Sequence, residues 1–133
     1  MHLSRIAAVA MLTLGFSVGL GPAAFAANEI PFTQQAFDVA KQEGKPILVH
    51  ITAPWCPYCA KQRPILDKFE GETAFKELVV YNVDFDTQKD IVRALGAQKQ
   101  STLIVFHGAT EKGRSIGDTD AGSIKTLLEK AND

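Results

Sequence analysis

One segment combines a buried strand, two cysteines and the start of a helix, and it constrains the fold more than any other part of the chain. Residues 46–51, Pro-Ile-Leu-Val-His-Ile, form a continuous apolar and β-branched run, the pattern of a central strand covered on both faces. The motif Trp-Cys-Pro-Tyr-Cys follows at residues 55–59, and the residue pattern predicts a helix over residues 56–69. The chain therefore places both cysteines at a strand-to-helix turn.

Cys56 and Cys59 are the two cysteines of the 133-residue chain. A spacing of three puts both side chains on one face of the first helical turn, with Cα atoms about 5 to 6 Å apart, so that a disulfide can close. Unpaired N–H groups and the positive end of the helix stabilise a thiolate at Cys56, and the thiolate is the attacking species. We therefore expect Cys56 to be the nucleophile and Cys59, one turn further in and more buried, to be the resolving thiol.

The residues around the pair suggest how the site is built. Pro57 presets φ at the helix start and lacks an N–H donor. Trp55 and Tyr58 are expected to shape an exposed, substrate-binding rim. We therefore expect Trp55, Pro57 and Tyr58 to contact substrate.

A static disulfide and half a zinc site are the alternatives to redox chemistry. A static bridge over so short a loop would stabilise little through chain entropy. Zinc needs two further ligands, and after residue 26 the remaining histidines are His50 and His107, neither in zinc-finger spacing. We expect no metal and no cofactor, while a metal-binding module that uses the cysteine pair remains an alternative.

The first 26 residues have the pattern of a secretory signal peptide. Residues 6–20 are uncharged and mostly apolar, Gly21 and Pro22 interrupt the run, and Ala24-Phe25-Ala26 is a small-x-small cleavage pattern. The run of about 15 residues is shorter than the roughly 20 of a membrane-spanning helix, so we expect cleavage after Ala26 and no stable membrane insertion. Residues 27–133 would then form one domain in the periplasm, where disulfides persist.

Composition and element order indicate the fold class. The chain is 46% hydrophobic and 22% charged, with a net charge of −1 and no run of like charges, which favours one globular domain and argues against a nucleic-acid partner. Strand and helix patterns alternate as β-α-β-α-β-α-β-β-α, which predicts an α/β fold with a mixed central sheet and helices on both faces. Strands separated by helices are expected to run parallel, with an antiparallel hairpin at the end. The predicted strands cover residues 30–32, 46–51, 78–83, 102–106 and 113–116. The predicted helices cover residues 33–42, 56–69 and 87–95. A helical turn is predicted at residues 73–77, and a last helix is predicted to be capped by Thr119 or Asp120.

With these residues in place, the sequence resembles the thioredoxin family over residues 27–133. The Trp-Cys-x-x-Cys motif after a central strand is the most specific match, and the Pro-Tyr dipeptide inside it is similar to that of glutaredoxins. The matching stretches are residues 46–52, 53–59, Pro64, Val83-Asp84, residues 102–106 and Gly117. The resemblance implies a thioredoxin-like three-layer fold and thiol–disulfide exchange.

The first departure from the family is Ser101, which stands where thioredoxins carry a cis-proline. In the family that proline faces the active disulfide, positions the bound peptide backbone and keeps metal away from the cysteines. A non-proline cis bond costs about 2.5 to 4 kcal/mol, so we expect a trans Gln100–Ser101 peptide and a reshaped substrate groove, with a strained cis bond as the alternative. Ser101 and Thr102 are expected to contribute to substrate binding there.

Two further departures concern proton transfer. Thioredoxins place a buried Asp six residues before the first cysteine, as proton acceptor for the resolving thiol, and a partnering Lys; the aligned residues are His50 and Val80. An imidazole titrates near neutrality, so His50 could take the Cys59 proton directly or through water. The alternative is a core histidine satisfied by hydrogen bonding, and both interpretations remain open.

The resemblance extends to the exported thioredoxin-like reductases of bacteria. It implies a monomeric periplasmic thiol–disulfide oxidoreductase that reduces disulfides in client proteins and is itself reduced by a membrane thiol reductase. Pro57 and the loss of the Asp and Lys acceptors could favour the reduced state, so a disulfide-donating oxidant is the alternative.

Overall fold

A five-stranded mixed sheet forms the centre of the protein. The structure is a computed structural model that describes residues 29–133, so the predicted signal peptide at residues 1–26 lies outside the described residues. The strands are β1 (Glu29–Pro31), β2 (Pro46–Thr52), β3 (Val79–Asp84), β4 (Thr102–His107) and β5 (Thr110–Ile116). The helices are α1 (Gln34–Gln42), α2 (Pro57–Glu70), α3 (Lys89–Ala94) and α4 (Ala121–Glu129), with 3₁₀ turns at Thr73–Phe75 and Lys130–Asn132. The predicted element order is confirmed.

Local sequence signals explain where two of the helices begin. The Thr33 hydroxyl accepts the backbone N–H of Ala36 at 3.2 Å before α1, and Asp120 accepts that of Ser123 at 2.8 Å before α4. Each cap satisfies an N–H that lacks a partner inside its helix. Of the two predicted caps for the last helix, the structure uses Asp120.

Strand direction differs from the prediction at β4. The sheet order is β1-β3-β2-β4-β5, with β1, β3 and β2 parallel, β4 antiparallel to β2, and β5 antiparallel to β4. The expectation that all helix-separated strands run parallel is therefore wrong for β4. The six residues of α3 extend only about 9 Å, less than half the roughly 20 Å of a six-residue strand, so this helix does not return the chain to the opposite end of the sheet.

The reversed β4 has a direct consequence for the site. β4 begins at the end of the sheet where β2 ends, and Ile51 pairs with Thr102. Ser101, just before β4, therefore lies at the same end as the cysteine motif that follows β2.

Two apolar clusters occupy the two faces of the sheet. One packs α1 and α3 against the sheet and contains Phe37 and Val92; the other packs α2 and α4 and contains Leu66 and Ile124. This is the predicted three-layer arrangement. Five phenylalanines are buried in the core: Phe32, Phe37, Phe69, Phe75 and Phe106. Within residues 29–133, no helix is long and apolar enough to cross a membrane.

Candidate active site

Cys56 and Cys59 form a disulfide at the amino end of α2. Their Cα atoms are 5.3 Å apart, within the predicted range. Cys56 is the N-cap in extended backbone conformation, Pro57 occupies the first turn, and the Cys56 Sγ accepts the backbone N–H of Cys59 at 3.1 Å. The helix terminus thus directs a donor at the Cys56 sulfur, an arrangement that would stabilise negative charge there after reduction.

Burial distinguishes the two cysteine residues only slightly. Cys59 is fully buried, whereas Cys56 is 2% exposed. Both pack with Ala53 and the partly buried Phe85. The order in which the two cysteines react therefore stays a prediction.

The rim beside the disulfide is aromatic and exposed. Trp55 and Tyr58 have exposed fractions of 58% and 52%. The Trp55 indole Nε1–H donates to Asp86 Oδ2 at 2.7 Å. Asp84 holds the turn that contains Asp86, because its Oδ1 accepts the N–H groups of Asp86 and Thr87. From sequence, Asp86 has the pattern of a solvated residue at a strand end, so its hydrogen bond with Trp55 was not predicted.

Gln62 is the central buried polar residue beneath the site, and sequence reasoning missed it. It lies one helical turn after Cys59, is fully buried, and donates through Nε2 to the backbone carbonyls of Ser101 at 3.1 Å and Asp118 at 2.9 Å. Its Oε1 lies 3.0 Å from His50 Nε2. Because the amide donates to two carbonyls, its oxygen faces the imidazole, and His50 Nε2 must carry the proton that it donates.

His50 is a neutral imidazole in this setting. Burial lowers its pKa to about 4, and the nearby Arg63 charge acts in the same direction, while hydrogen bonds with Gln62 and Asn82 partly oppose the shift. Its Nε2 contacts Gln62, which joins it to the helical turn that carries Cys59. A role for His50 as general base stays a prediction.

Ser101 adopts an unusual backbone conformation at the same end of the sheet. There is no cis peptide bond in residues 29–133, so the expected trans Gln100–Ser101 bond is confirmed. Ser101 instead has φ of 58°, in the left-handed region that serine rarely adopts. Its carbonyl accepts both the Gln62 amide and the N–H of Gly117 at 2.9 Å.

The hydroxyl groups of Ser101 and Thr102 are turned toward their own segment. Ser101 donates to the Gln100 carbonyl at 2.5 Å and Thr102 to the Lys99 carbonyl at 2.7 Å, and both residues are buried. The structure therefore brings these residues to the cysteine end of the sheet without offering their hydroxyls to solvent. Their contribution to substrate binding stays a prediction, and it would come through the shape of the backbone.

Comparison with known proteins agrees with this geometry. The family described as Thioredoxin matches residues 28–130. A solved structure, Trxlp from Edwardsiella tarda EIB202, is similar with a TM-score of 0.73 and 37% identity, covering 75% of this chain and 96% of that one. Oxidised thioredoxin O2 from Arabidopsis thaliana has a TM-score of 0.69 at 20% identity, covering 81% of this chain and 97% of that one, a likeness of fold.

Two curated relatives are longer than the region they share with this chain. A protein disulfide-isomerase, tigA from Aspergillus niger, is 31% identical over 70% of this chain and 27% of its own length. A chloroplastic M-type thioredoxin from Zea mays is 28% identical over 64% of this chain and 50% of its own length. The chain thus spans about a quarter to a half of these two relatives. The chain belongs to the thioredoxin family, and its Cys56–Cys59 pair fits a Cys-x-x-Cys motif.

Proposed function

We propose that this protein is an exported thiol–disulfide oxidoreductase that reduces disulfides in periplasmic client proteins. The observation that carries the proposal is the Cys56–Cys59 disulfide at the start of α2, with the Cys59 N–H directed at the Cys56 sulfur. The periplasmic location rests on the signal-peptide pattern of residues 1–26. The implied electron donor is a membrane thiol reductase.

The exchange proceeds through a mixed disulfide. In the reduced protein, the Cys56 thiolate attacks one sulfur of the client disulfide, that bond breaks, and one client cysteine leaves as a thiolate. The Cys59 thiol loses its proton and attacks Cys56 Sγ, which breaks the mixed disulfide and releases the second client thiolate. Two electrons pass to the client, Cys56–Cys59 is oxidised, and a donor must return two electrons.

Clients would dock against the exposed apolar side chains at the cysteine end of the sheet. Trp55, Tyr58 and Ile116 are more than half exposed, and Ile116 pairs with Thr102 at the end of β5. Trp55 is held by Asp86, so part of this surface is ordered before a client arrives. Prior order reduces the entropy lost on binding, and such a surface suits an extended apolar segment around a client disulfide.

A disulfide-donating oxidant is the second candidate. His50, a neutral imidazole whose pKa is lowered to about 4, replaces a carboxylate acceptor that would repel a thiolate. This replacement would favour the reduced state and so raise the reduction potential. The reductant is proposed first because of the resemblance to exported thioredoxin-like reductases.

The test combines activity with redox potential. The full chain is expressed with its own leader, the amino terminus of the purified product is determined, and insulin disulfide reduction is followed with dithiothreitol as the electron donor. We expect a product that begins at Ala27, activity that falls to the uncatalysed background in Cys56→Ala, and a trapped mixed disulfide in Cys59→Ser. A potential near about −270 mV supports the reductant, and one near about −120 mV reverses the direction.

The same preparation tests the metal-binding alternative. Metal content is measured after purification in reducing buffer, for the unmodified chain and for Cys59→Ser. Stoichiometric metal that Cys59→Ser loses, together with absent insulin reduction, would overturn the oxidoreductase in favour of a metal carrier. Unchanged activity in Cys56→Ala would overturn the assigned nucleophile.

A further inference from the structure

Three carboxylates meet at the opposite end of α2 from the cysteines. Glu29 opens β1, and Asp67 and Glu70 lie in the last two turns of α2. One carboxylate oxygen from each of the three lies within 4.8 Å of the others. The ion pairs in the described part of the chain use other acidic side chains, so no lysine or arginine neutralises this group there.

Glu70 is the unusual member of the group. It is 8% exposed, and within residues 29–133 neither Oε1 nor Oε2 has a hydrogen-bond partner. Removing a carboxylate from water without a compensating partner is costly, and a buried charge in proteins is normally paired or bound to a metal. Buried, unpartnered and directed at two other carboxylates, Glu70 requires either a proton or a cation.

The electrostatics point the same way. Burial, the largest cause, and the negative charges of Glu29 and Asp67 together raise the pKa of Glu70 to about 7. A positive charge placed among the three oxygens would offset the repulsion from Glu29 and Asp67, and it would give Glu70 the partner that it lacks.

We propose that Glu29, Asp67 and Glu70 bind a hard divalent cation. Three carboxylate oxygens form the donor set that Ca²⁺, Mg²⁺ and Mn²⁺ prefer, with water completing the coordination shell. Glu70 would supply the buried ligand, and the exposed Asp67 gives the ion a route from solvent. This cation would act on the stability of the β1–α2 contact, and the site is separate from the cysteine chemistry.

Calorimetric titration with each metal chloride tests the proposal. The purified product of the full chain is stripped with chelator and titrated with CaCl₂, MgCl₂ or MnCl₂ alone, and thermal unfolding is measured with and without the cation. We expect one cation per chain and a higher Tm when the cation is present. Glu70→Gln should lose about tenfold or more in affinity, because it removes a charged ligand but keeps the side-chain size.

Two variants make the result specific. Glu77→Gln changes an exposed glutamate outside the cluster in the same way and should keep both the affinity and the Tm rise. Glu29→Gln, at the partly exposed start of β1, should lose affinity and serves as the second ligand variant if Glu70→Gln does not fold. All three variants should reduce insulin as the unmodified chain does, so failure here is distinguishable from failure of the proposed function.

The proposal is overturned by absence of binding of all three cations at millimolar concentration. It is also overturned if Glu70→Gln and Glu29→Gln bind as tightly as the unmodified chain. Two results together would assign a proton rather than a cation to Glu70. The Tm of Glu70→Gln without cation would be higher than that of the unmodified chain, and adding cation to the unmodified chain would not change its Tm.

Discussion

Helix α2 carries two buried polar side chains about two turns apart, and they are satisfied in opposite ways. Gln62 is fully buried and makes three hydrogen bonds, to His50 and to the carbonyls of Ser101 and Asp118. Glu70 is 8% exposed and makes no hydrogen bond to any residue that the structure describes. One helix therefore has a fully partnered polar group near the disulfide and an unpartnered one at its far end.

The difference follows from the chemistry of the two side chains. An amide both donates and accepts, so neutral carbonyls and a neutral imidazole can satisfy it. A carboxylate only accepts, and the other two carboxylates in the Glu70 cluster cannot donate to it. Gln62 can thus act as a fixed link within the fold, whereas Glu70 depends on an external proton or cation.

The largest expected loss of stability concerns Gln62, the fully partnered side chain of the two. Gln62→Leu leaves His50 Nε2–H and the Asp118 carbonyl without the amide that each contacts, and unmet buried groups cost about 1 to 3 kcal/mol each. We expect the free energy of unfolding of the oxidised protein to fall by about 4 kcal/mol. Urea unfolding monitored by circular dichroism measures the change.

The matched variant on the same helix is Glu70→Leu. In chelator-treated protein it removes an unpartnered charge, and we expect stability to stay equal or to rise. Equal losses for Gln62→Leu and Glu70→Leu would remove the distinction between the two positions, because volume and packing would then explain both.

The pH dependence of stability tests the same network through His50. The pKa of His50 is about 4 in the folded protein against an ordinary 6.5, so the unfolded chain binds the proton more tightly. The stabilising effect is therefore fully present above pH 6.5 and is lost as the pH falls toward 4, by about 3 kcal/mol for a shift of this size. Urea unfolding between pH 7.5 and pH 4 gives the slope.

His50→Gln isolates this contribution from the carboxylates that also titrate in acid. We expect the variant to lose less stability than the unmodified chain between pH 6.5 and pH 4. His107→Gln is the control, since His107 is exposed and hydrogen-bonds the Ala131 carbonyl outside this network. An unchanged slope in His50→Gln would mean that the pKa of His50 in the folded protein is close to its ordinary 6.5.

Much of the fold was readable from local patterns. The apolar run of β2, the cysteine motif at a helix start and the Asp120 cap are each set by residues close in sequence, and each is present as predicted. The direction of β4 could not be read from local patterns, because an alternation of strands and helices does not specify on which side of β2 the next strand is added. The shortness of α3 was not visible beforehand, because the predicted helix at 87–95 is as long as α1, which does return the chain between two parallel strands.

The same difference between local and distant contacts applies to the candidate site. The cysteine pair and its aromatic rim are contiguous in sequence, whereas Gln62 gains its role from carbonyls 39 and 56 residues away. Gln62 and Glu70 are both polar residues in an amphipathic helix, and such residues are normally placed on the solvent side. Periodicity predicts the helix but does not show which of its polar residues share the buried face with Leu66 and Phe69.

The smallest expected effect concerns Ser101, whose carbonyl is held by Gln62. Its φ of 58° costs a non-glycine residue roughly 1 to 2 kcal/mol, and glycine avoids this cost but loses about 0.5 to 1 kcal/mol through greater freedom in the unfolded chain. Ser101→Gly should therefore raise the free energy of unfolding by about 0.5 to 1 kcal/mol, measured by urea unfolding. Ser101→Ala is the control, because it removes the hydroxyl but keeps the Cβ, and it should give no gain. A loss in Ser101→Gly as large as in Ser101→Ala would mean that the hydroxyl bond to Gln100, rather than the Gln62 link, maintains this conformation.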